Sequence, residues 1–243
     1  MATALNTGNP IKQLETQLVK MANAQFDSEA FKRLLGLRFN KERARMYIIQ
    51  RTHWTVNRRE CWAAVQSSAP MPVKKLIWDH ERDELEGDKD LGKPDHYTMS
   101  VLEGASVGLK ARDFVDIGPS DGAFTCCSAW LHVARGSHWL SALASAAALE
   151  LSNSDEILTG GGMSNRMAFK MRDEVGIPLK KQTSNVEHMA ADVKHAHMLM
   201  EVAEEYAVGE HEIQLILDGA RQSWQIDRIW KGHLADLLAA IPE

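Results

Sequence analysis

Cysteine is scarce in this chain: Cys61, Cys126 and Cys127 are the 3 among 243 residues. Their irregular spacing excludes a disulfide framework and a C-x-x-C zinc site. Cys61 falls in a helical stretch and the other two in the apolar stretch 123–133, so buried, inert thiols are expected. An excess of basic charge is missing too. The net charge is −5 and the pI about 6.1, which leaves no basic surface for nucleic acid or an anionic membrane. Small molecules or proteins remain as partner classes. The longest apolar run, Trp139 to Leu149, is too short to span a bilayer. The first nine residues lack the basic and apolar regions of an export signal, so a cytoplasmic location is expected. The run Gly160-Gly161-Gly162 lacks the Lys-Ser/Thr ending of a phosphate loop and reads as a mobile loop beside a site. No alternating strand pattern of useful length appears anywhere.

Helical periodicity is what remains. With 44% hydrophobic residues the chain can bury a sizeable core in one domain. Residues 1–9 are expected to be disordered and 10–243 to form an all-α, bundle-like domain of about seven or eight helices. Pro10 suits the first turn of a helix carrying Ile11, Leu14, Leu18 and Met21 at helical spacing. Ser28 and Asn40 are candidate N-caps. The segment from Asn40 to about Gln66 carries Arg43, Arg45, Arg51, Arg58 and Arg59, expected as a solvated face. A loop over 87–94 precedes a helical pattern from Asp95 to Leu109. Two apolar helices follow over 123–133 and 137–151, the second dense in alanine and able to pack closely. Ser184 and Glu187 resemble a capping box at the head of a late helix. The last helix, about 210–238, has an apolar stripe through Trp224, Ile226, Trp230, Leu234 and Leu237, which is read as core.

The late helix carries the chemistry. At about 100° per residue, His188, Asp192 and His195 share one face within roughly 60°. Two imidazoles and a carboxylate are ligands suited to iron, manganese or zinc. His197 lies on the opposite side and is expected at the surface. Complementary ligands are available elsewhere: Glu84 ends one segment, His96 opens the next, and Glu150 is the single charged residue on an otherwise apolar helix. A lone carboxylate there is costly to bury unless paired, protonated or bound to a metal.

The set Asp83-Glu84, Pro94-Asp-His96, Glu150 and Glu187-His188-x-x-Ala191-Asp192-Val-Lys-His195 resembles the haem-oxygenase-like di-iron oxidases and oxygenases. It is closest in pattern to the CADD-type proteins, with PqqC and TenA proteins related by fold. The resemblance covers roughly Tyr47 to Glu204. It implies two Fe(II) ions per chain held by Glu84, His96, Glu150, His188, Asp192 and His195, with O2 as co-substrate. It also implies a small, amino-acid-derived substrate undergoing N-oxygenation, desaturation or C–C cleavage, an optional external electron donor, and a homodimer. Twelve positions separate Glu84 from His96, more than the usual gap, so the insertion over 88–93 could displace His96 and leave His80 as a substitute. The CADD branch resembles a self-sacrificing 4-aminobenzoate synthase. Phe31 stands where its donor tyrosine would be, and the corresponding lysine falls in the glycine loop, although Tyr47 matches a family tyrosine. Other readings are a cofactorless PqqC-like oxidase using the arginines, a TenA-like hydrolase using a cysteine, and a non-enzymatic helical interaction protein.

Overall fold

The computed structural model describes residues 9–243, except for the side chains of residues 190–196. The expectation for residues 1–8 and the side-chain roles of Asp192 and His195 therefore lie outside the described residues. Eleven α-helices are found among them: α1 (Pro10–Phe26), α2 (Glu29–Gly36), α3 (Lys41–Ser68), α4 (Met71–Glu86), α5 (His96–Ala105), α6 (Asp113–Asp116), α7 (Asp121–Gly136), α8 (Trp139–Leu151), α9 (Met163–Val175), α10 (Thr183–Tyr206) and α11 (Glu210–Ala239). A 3-10 turn at Leu179–Lys181 precedes α10. The count exceeds seven or eight partly because short pieces such as α6 carry too few turns to show a period. The described residues form no strand, only the isolated bridge between Asp88 and Lys93. None of the helices they form is long and apolar enough to cross a membrane.

Side-chain caps set many of the boundaries. Asn9, Ser28, Asn40, Asp95 and Ser120 each accept a backbone N–H of the first turn that follows, satisfying donors that the helix itself leaves open. The capping box expected at Ser184 and Glu187 is not formed. α10 begins at Thr183 with Gln182 at its N-cap, which makes no side-chain cap bond. Ser184 is buried with its Oγ 3.4 Å from Ser100 Oγ, and Glu187 pairs with Lys93 at 3.1 Å. α5 is also shorter than its sequence pattern, because the chain turns after Ala105 and Phe114 packs on Gly104.

α8 is the central element. Every residue from Leu140 to Leu151 is buried, and alanine occupies 142, 144 and 146–148. Small side chains let α11 lie close along it. At the contact, a Cβ on Gly219 would overlap the carbonyl oxygen of Ser141. Trp224 of α11 closes the C-terminal end of α8 by donating its indole N–H to Ala148 O (3.0 Å) and Ser152 Oγ (2.8 Å). α3 packs beside α4, α5, α7 and α8 and reaches α10 through Arg51, whose Nη1 donates to Asn185 Oδ1 at 2.6 Å, so the arginine-bearing helix adjoins every helix that supplies a described ligand candidate.

Candidate metal centre

Glu84, in the last turn of α4, His96, at the start of α5, and His188, in the second turn of α10, converge. One ligand atom from each lies within 4.8 Å of the others. The long connection between Glu84 and His96 does not displace His96. Asp88 and Lys93 bond each other in both directions (3.0 and 2.7 Å), folding the extra residues into a closed loop. Gly87 opens it with φ +68°, where a Cβ would strike the backbone of Lys93 and Pro94. Only glycine fits that approach, and His96 returns to Glu84 with Nδ1 2.8 Å from Oε2.

The donor set fits a metal ion. The His188 ring places Nδ1 2.7 Å from the carbonyl oxygen of Ser184. A carbonyl only accepts, so Nδ1 carries the proton and Nε2 keeps its lone pair, the arrangement that orients a metal-binding imidazole. His96 Nδ1 is buried and makes no aligned hydrogen bond among the described residues despite its closeness to Glu84. Two imidazoles and one carboxylate are the ligand types of non-haem Fe(II) sites.

Burial would raise the Glu84 carboxyl, but the Arg59 guanidinium and His96 outweigh it and hold the group well below the usual carboxylate range. Burial would likewise lower His96, but Glu84 beside it raises the imidazole. His188 is pushed down to about 4 by burial and by the charge of His96, so at neutral pH it is an uncharged donor.

Glu150 lies outside this trio but is joined to it. Its Oε1 accepts from Arg58 Nη2 at 2.7 Å and lies 3.9 Å from His80 Nε2. His80 Nδ1 is 2.9 Å from Glu81 Oε1, and Arg59 Nη1 reaches both Glu81 (2.9 Å) and Glu84 (2.8 Å). Arg58 is thus the partner that a lone carboxylate on α8 required. The expectation of a solvated arginine face on α3 is overturned: Arg43 and Arg58 are buried, and Arg51, Arg58 and Arg59 pair with Glu103, Glu150 and the Glu81–Glu84 pair. Arg45 is the more exposed one, paired with Glu42. Sequence reasoning missed Glu81, Arg58 and Arg59 as parts of the centre. Glu81 stands one helical turn before Glu84, a spacing that puts both on one face.

Arg59 supplies the positive charge that two buried carboxylates need when no metal is bound. Arg59→Gln should therefore destabilise the metal-free protein by about 3–5 kcal/mol, lowering the melting temperature by roughly 10 °C. A divalent ion should then raise the melting temperature more in the variant than in the wild type, as differential scanning fluorimetry would show. An equal or smaller shift in the variant would contradict this role.

The family model described as iron-containing redox enzyme, of the haem-oxygenase-like kind, matches residues 45–228, a span holding Glu84, His96, Glu150 and His188. The chain belongs to the iron-containing redox enzyme family. No match is found among curated proteins. Among solved structures, a CADD-like protein of unknown function from Nostoc punctiforme aligns over 95% of this chain and 99% of its own, with TM-score 0.71 and 14% identity. A domain of unknown function with a haem-oxygenase-like fold from Shewanella denitrificans aligns over 97% and 94%, with TM-score 0.72 and 14% identity. A TenA homologue from P. horikoshii aligns over 92% and 97%, with TM-score 0.60 and 14% identity. At these identities the likeness establishes the haem-oxygenase-like fold.

Two further expectations bear on this member of the iron-containing redox enzyme family. The glycine loop is pinned rather than loose: Asp155 accepts from Gly162 N (2.7 Å) and Asn165 Nδ2 (2.8 Å), and Arg166 binds the carbonyls of Thr159 and Gly161. The thiols make poor nucleophiles. Burial raises all three, Cys126 to about 11 and Cys127 to about 12, whereas attack needs a thiolate. Iodoacetamide at pH 7.5 should leave metal binding and any O2 consumption unchanged. Proportional loss of activity with alkylation would revive the hydrolase reading.

Proposed function

We propose that this protein is a non-haem iron-dependent, O2-using oxidase or oxygenase acting on a small amino-acid-derived molecule. The observation that carries the reading is the convergence of Glu84, His96 and His188, with the His188 ring oriented by the Ser184 carbonyl. These three would hold one ion. Glu150 would hold a second together with Asp192 and His195, whose i+4 and i+7 spacing from His188 in the sequence would suit one helix face. Bound iron would supply the O2-activating redox chemistry, which protein side chains alone do not provide.

The chain's own residues bind, orient and shield. Glu84, held ionised by Arg59 and His96, is ready to ligate without first losing a proton. His188 is uncharged at neutral pH for the same purpose. Arg58 and Arg59 balance the carboxylate charge gathered there. Leu149, Met163, Trp230 and Leu234 line a cavity that also reaches His188, and their apolar surfaces limit water beside the centre.

The PqqC-like alternative called for a strongly cationic pocket. Arg51, Arg58 and Arg59 are each neutralised by glutamates, so the iron reading is favoured. Mixing anaerobically Fe(II)-loaded protein with O2 should give protein-dependent O2 uptake and a transient visible absorption, with neither seen for the Zn(II)-loaded protein. An uptake trace identical to that of Fe(II) in buffer would refute the proposal.

A further inference from the structure

The first turn of α10 has no cap of its own and is held from across the fold. Gln182, at its N-cap, engages its amide with the carbonyls of Ala168 and Ile177, both at 2.9 Å, and makes no cap bond. Glu103 of α5 takes that place. Its Oε2 accepts the backbone N–H of Asn185 at 3.0 Å, a first-turn donor with no partner inside the helix, and a negative charge suits a helix N-terminus. Its Oε1 accepts from Arg51 Nη2 at 2.9 Å and Asn185 Nδ2 at 3.3 Å, while Arg51 Nη1 donates to Asn185 Oδ1 at 2.6 Å. Residues of α3, α5 and α10 thus close one ring of hydrogen bonds, in which Glu103 and Asn185 are each only 1% exposed.

The ring stands at one end of a seam whose other end is the metal centre. His96, Met99, Ser100 and Glu103 fall at i, i+3, i+4 and i+7, one face of α5, and all four are buried. Against that face, Thr183 Oγ1 donates to Met99 O at 2.7 Å and Ser100 Oγ lies 3.4 Å from Ser184 Oγ. The His96 and His188 rings then meet edge to face, 4.7 Å between centroids. His188 follows Ser184 by one turn and its Nδ1 is engaged with the Ser184 carbonyl, so the contacts that fix the first turn of α10 also fix that ring. We infer that Glu103, charge-balanced by Arg51, is a positioning residue: it caps α10 from α5 and thereby holds the His188 ring against His96 and Glu84 at a spacing one ion can bridge. The inference rests on the proposed metal centre for its purpose, but the ring is placed with or without an ion.

The test reads the full-length protein by NMR with isotope-labelled histidine, metal-free at neutral pH, and then by anaerobic Fe(II) titration. The wild type should show the Nδ1–H tautomer of His188 and a through-space contact between the His96 and His188 rings. Glu103→Gln keeps the shape and removes the charge. Circular dichroism should stay helical while the ring contact is lost, the His188 tautomers mix and the Asn185 amide exchanges faster. Fe(II) affinity should fall at least about tenfold, the lower end for groups that orient a metal ligand. Thr183→Val removes one hydroxyl of the seam without stranding a charge and should move the same signals in the same direction, which decides the matter should Glu103→Gln fail to fold. Arg43→Met is the control for a merely structural loss. Arg43 is also buried on α3, but it holds the carbonyls of Leu238 and Ile241, so its loss should lower the melting temperature and leave the histidine signals and Fe(II) affinity as in the wild type. Unchanged histidine signals in the folded seam variants, or the same changes in Arg43→Met, would overturn the assignment. If the signals respond as expected but the wild type binds no iron, the positioning role stands and the iron reading fails. If wild type and seam variants bind iron equally tightly, the iron reading stands and the positioning role fails.

Discussion

Replacing His188 with alanine should lower Fe(II) affinity by more than about 100-fold, since loss of supporting groups around a metal already costs 10–100-fold. The reason lies in the ring's setting. Its Nδ1 is engaged with the Ser184 carbonyl, one turn back along α10, so Nε2 is the donor left to face Glu84 and His96. No other described histidine takes part in that cluster. The fold should survive, because His188 is only partly buried and its protonation is disfavoured, so no charge is stranded. Circular dichroism should therefore be unchanged while anaerobic Fe(II) titration loses its tight phase. His197, exposed on the same helix, is the control: His197→Ala should bind iron as the wild type does.

A second large effect is expected where α11 crosses α8. Gly219→Ala should destabilise the fold by about 3 kcal/mol, at the upper end of ordinary overpacking, and lower the melting temperature by roughly 6–12 °C for a chain of this size. The added methyl would meet the carbonyl oxygen of Ser141, a backbone atom of the most enclosed helix, which has no rotamer to swing away. α8 and α11 would have to separate, loosening the Trp224 bonds to Ala148 and Ser152. Gly36→Ala is the matched control. Its added methyl meets nothing within 4 Å, and alanine favours the helix over glycine, so its melting temperature should stay level or rise. A Gly219→Ala variant as stable as wild type would show that the two helices are not packed so closely.

Of the ligand candidates read from the sequence, Glu84, His96 and His188 converge, and each was legible as a metal-ligand residue type at the end or start of a helical segment. Glu150 also stood out, as the single charge on an alanine-rich helix, but the structure pairs it with Arg58. The arginines were not legible. Arg58 meets Glu150 on α8 and Arg59 meets Glu84 on α4, and a charge-rich helix looks solvated until its distant partners are known. α3 is buried on several sides, from Arg43 and Tyr47 to Trp62 and Val65, which weakens the periodicity that would have signalled it. The loop between Glu84 and His96 misled for a related reason. Its length suggested displacement, whereas the Asp88–Lys93 bridge turns extra length into a closed excursion. The start of α10 was misjudged because Ser184 and Glu187 carry capping residue types but point to Ser100 and Lys93 instead.

We propose that iron is held through Glu84, His96 and His188, which converge, and that a second ion would be held through Glu150, Asp192 and His195. The most direct test is anaerobic Fe(II) titration of the wild-type protein with iron counted per chain. Two ions per chain, reduced in His188→Ala and retained in His197→Ala, is the predicted result. Iron no higher than in a heat-unfolded control would contradict it.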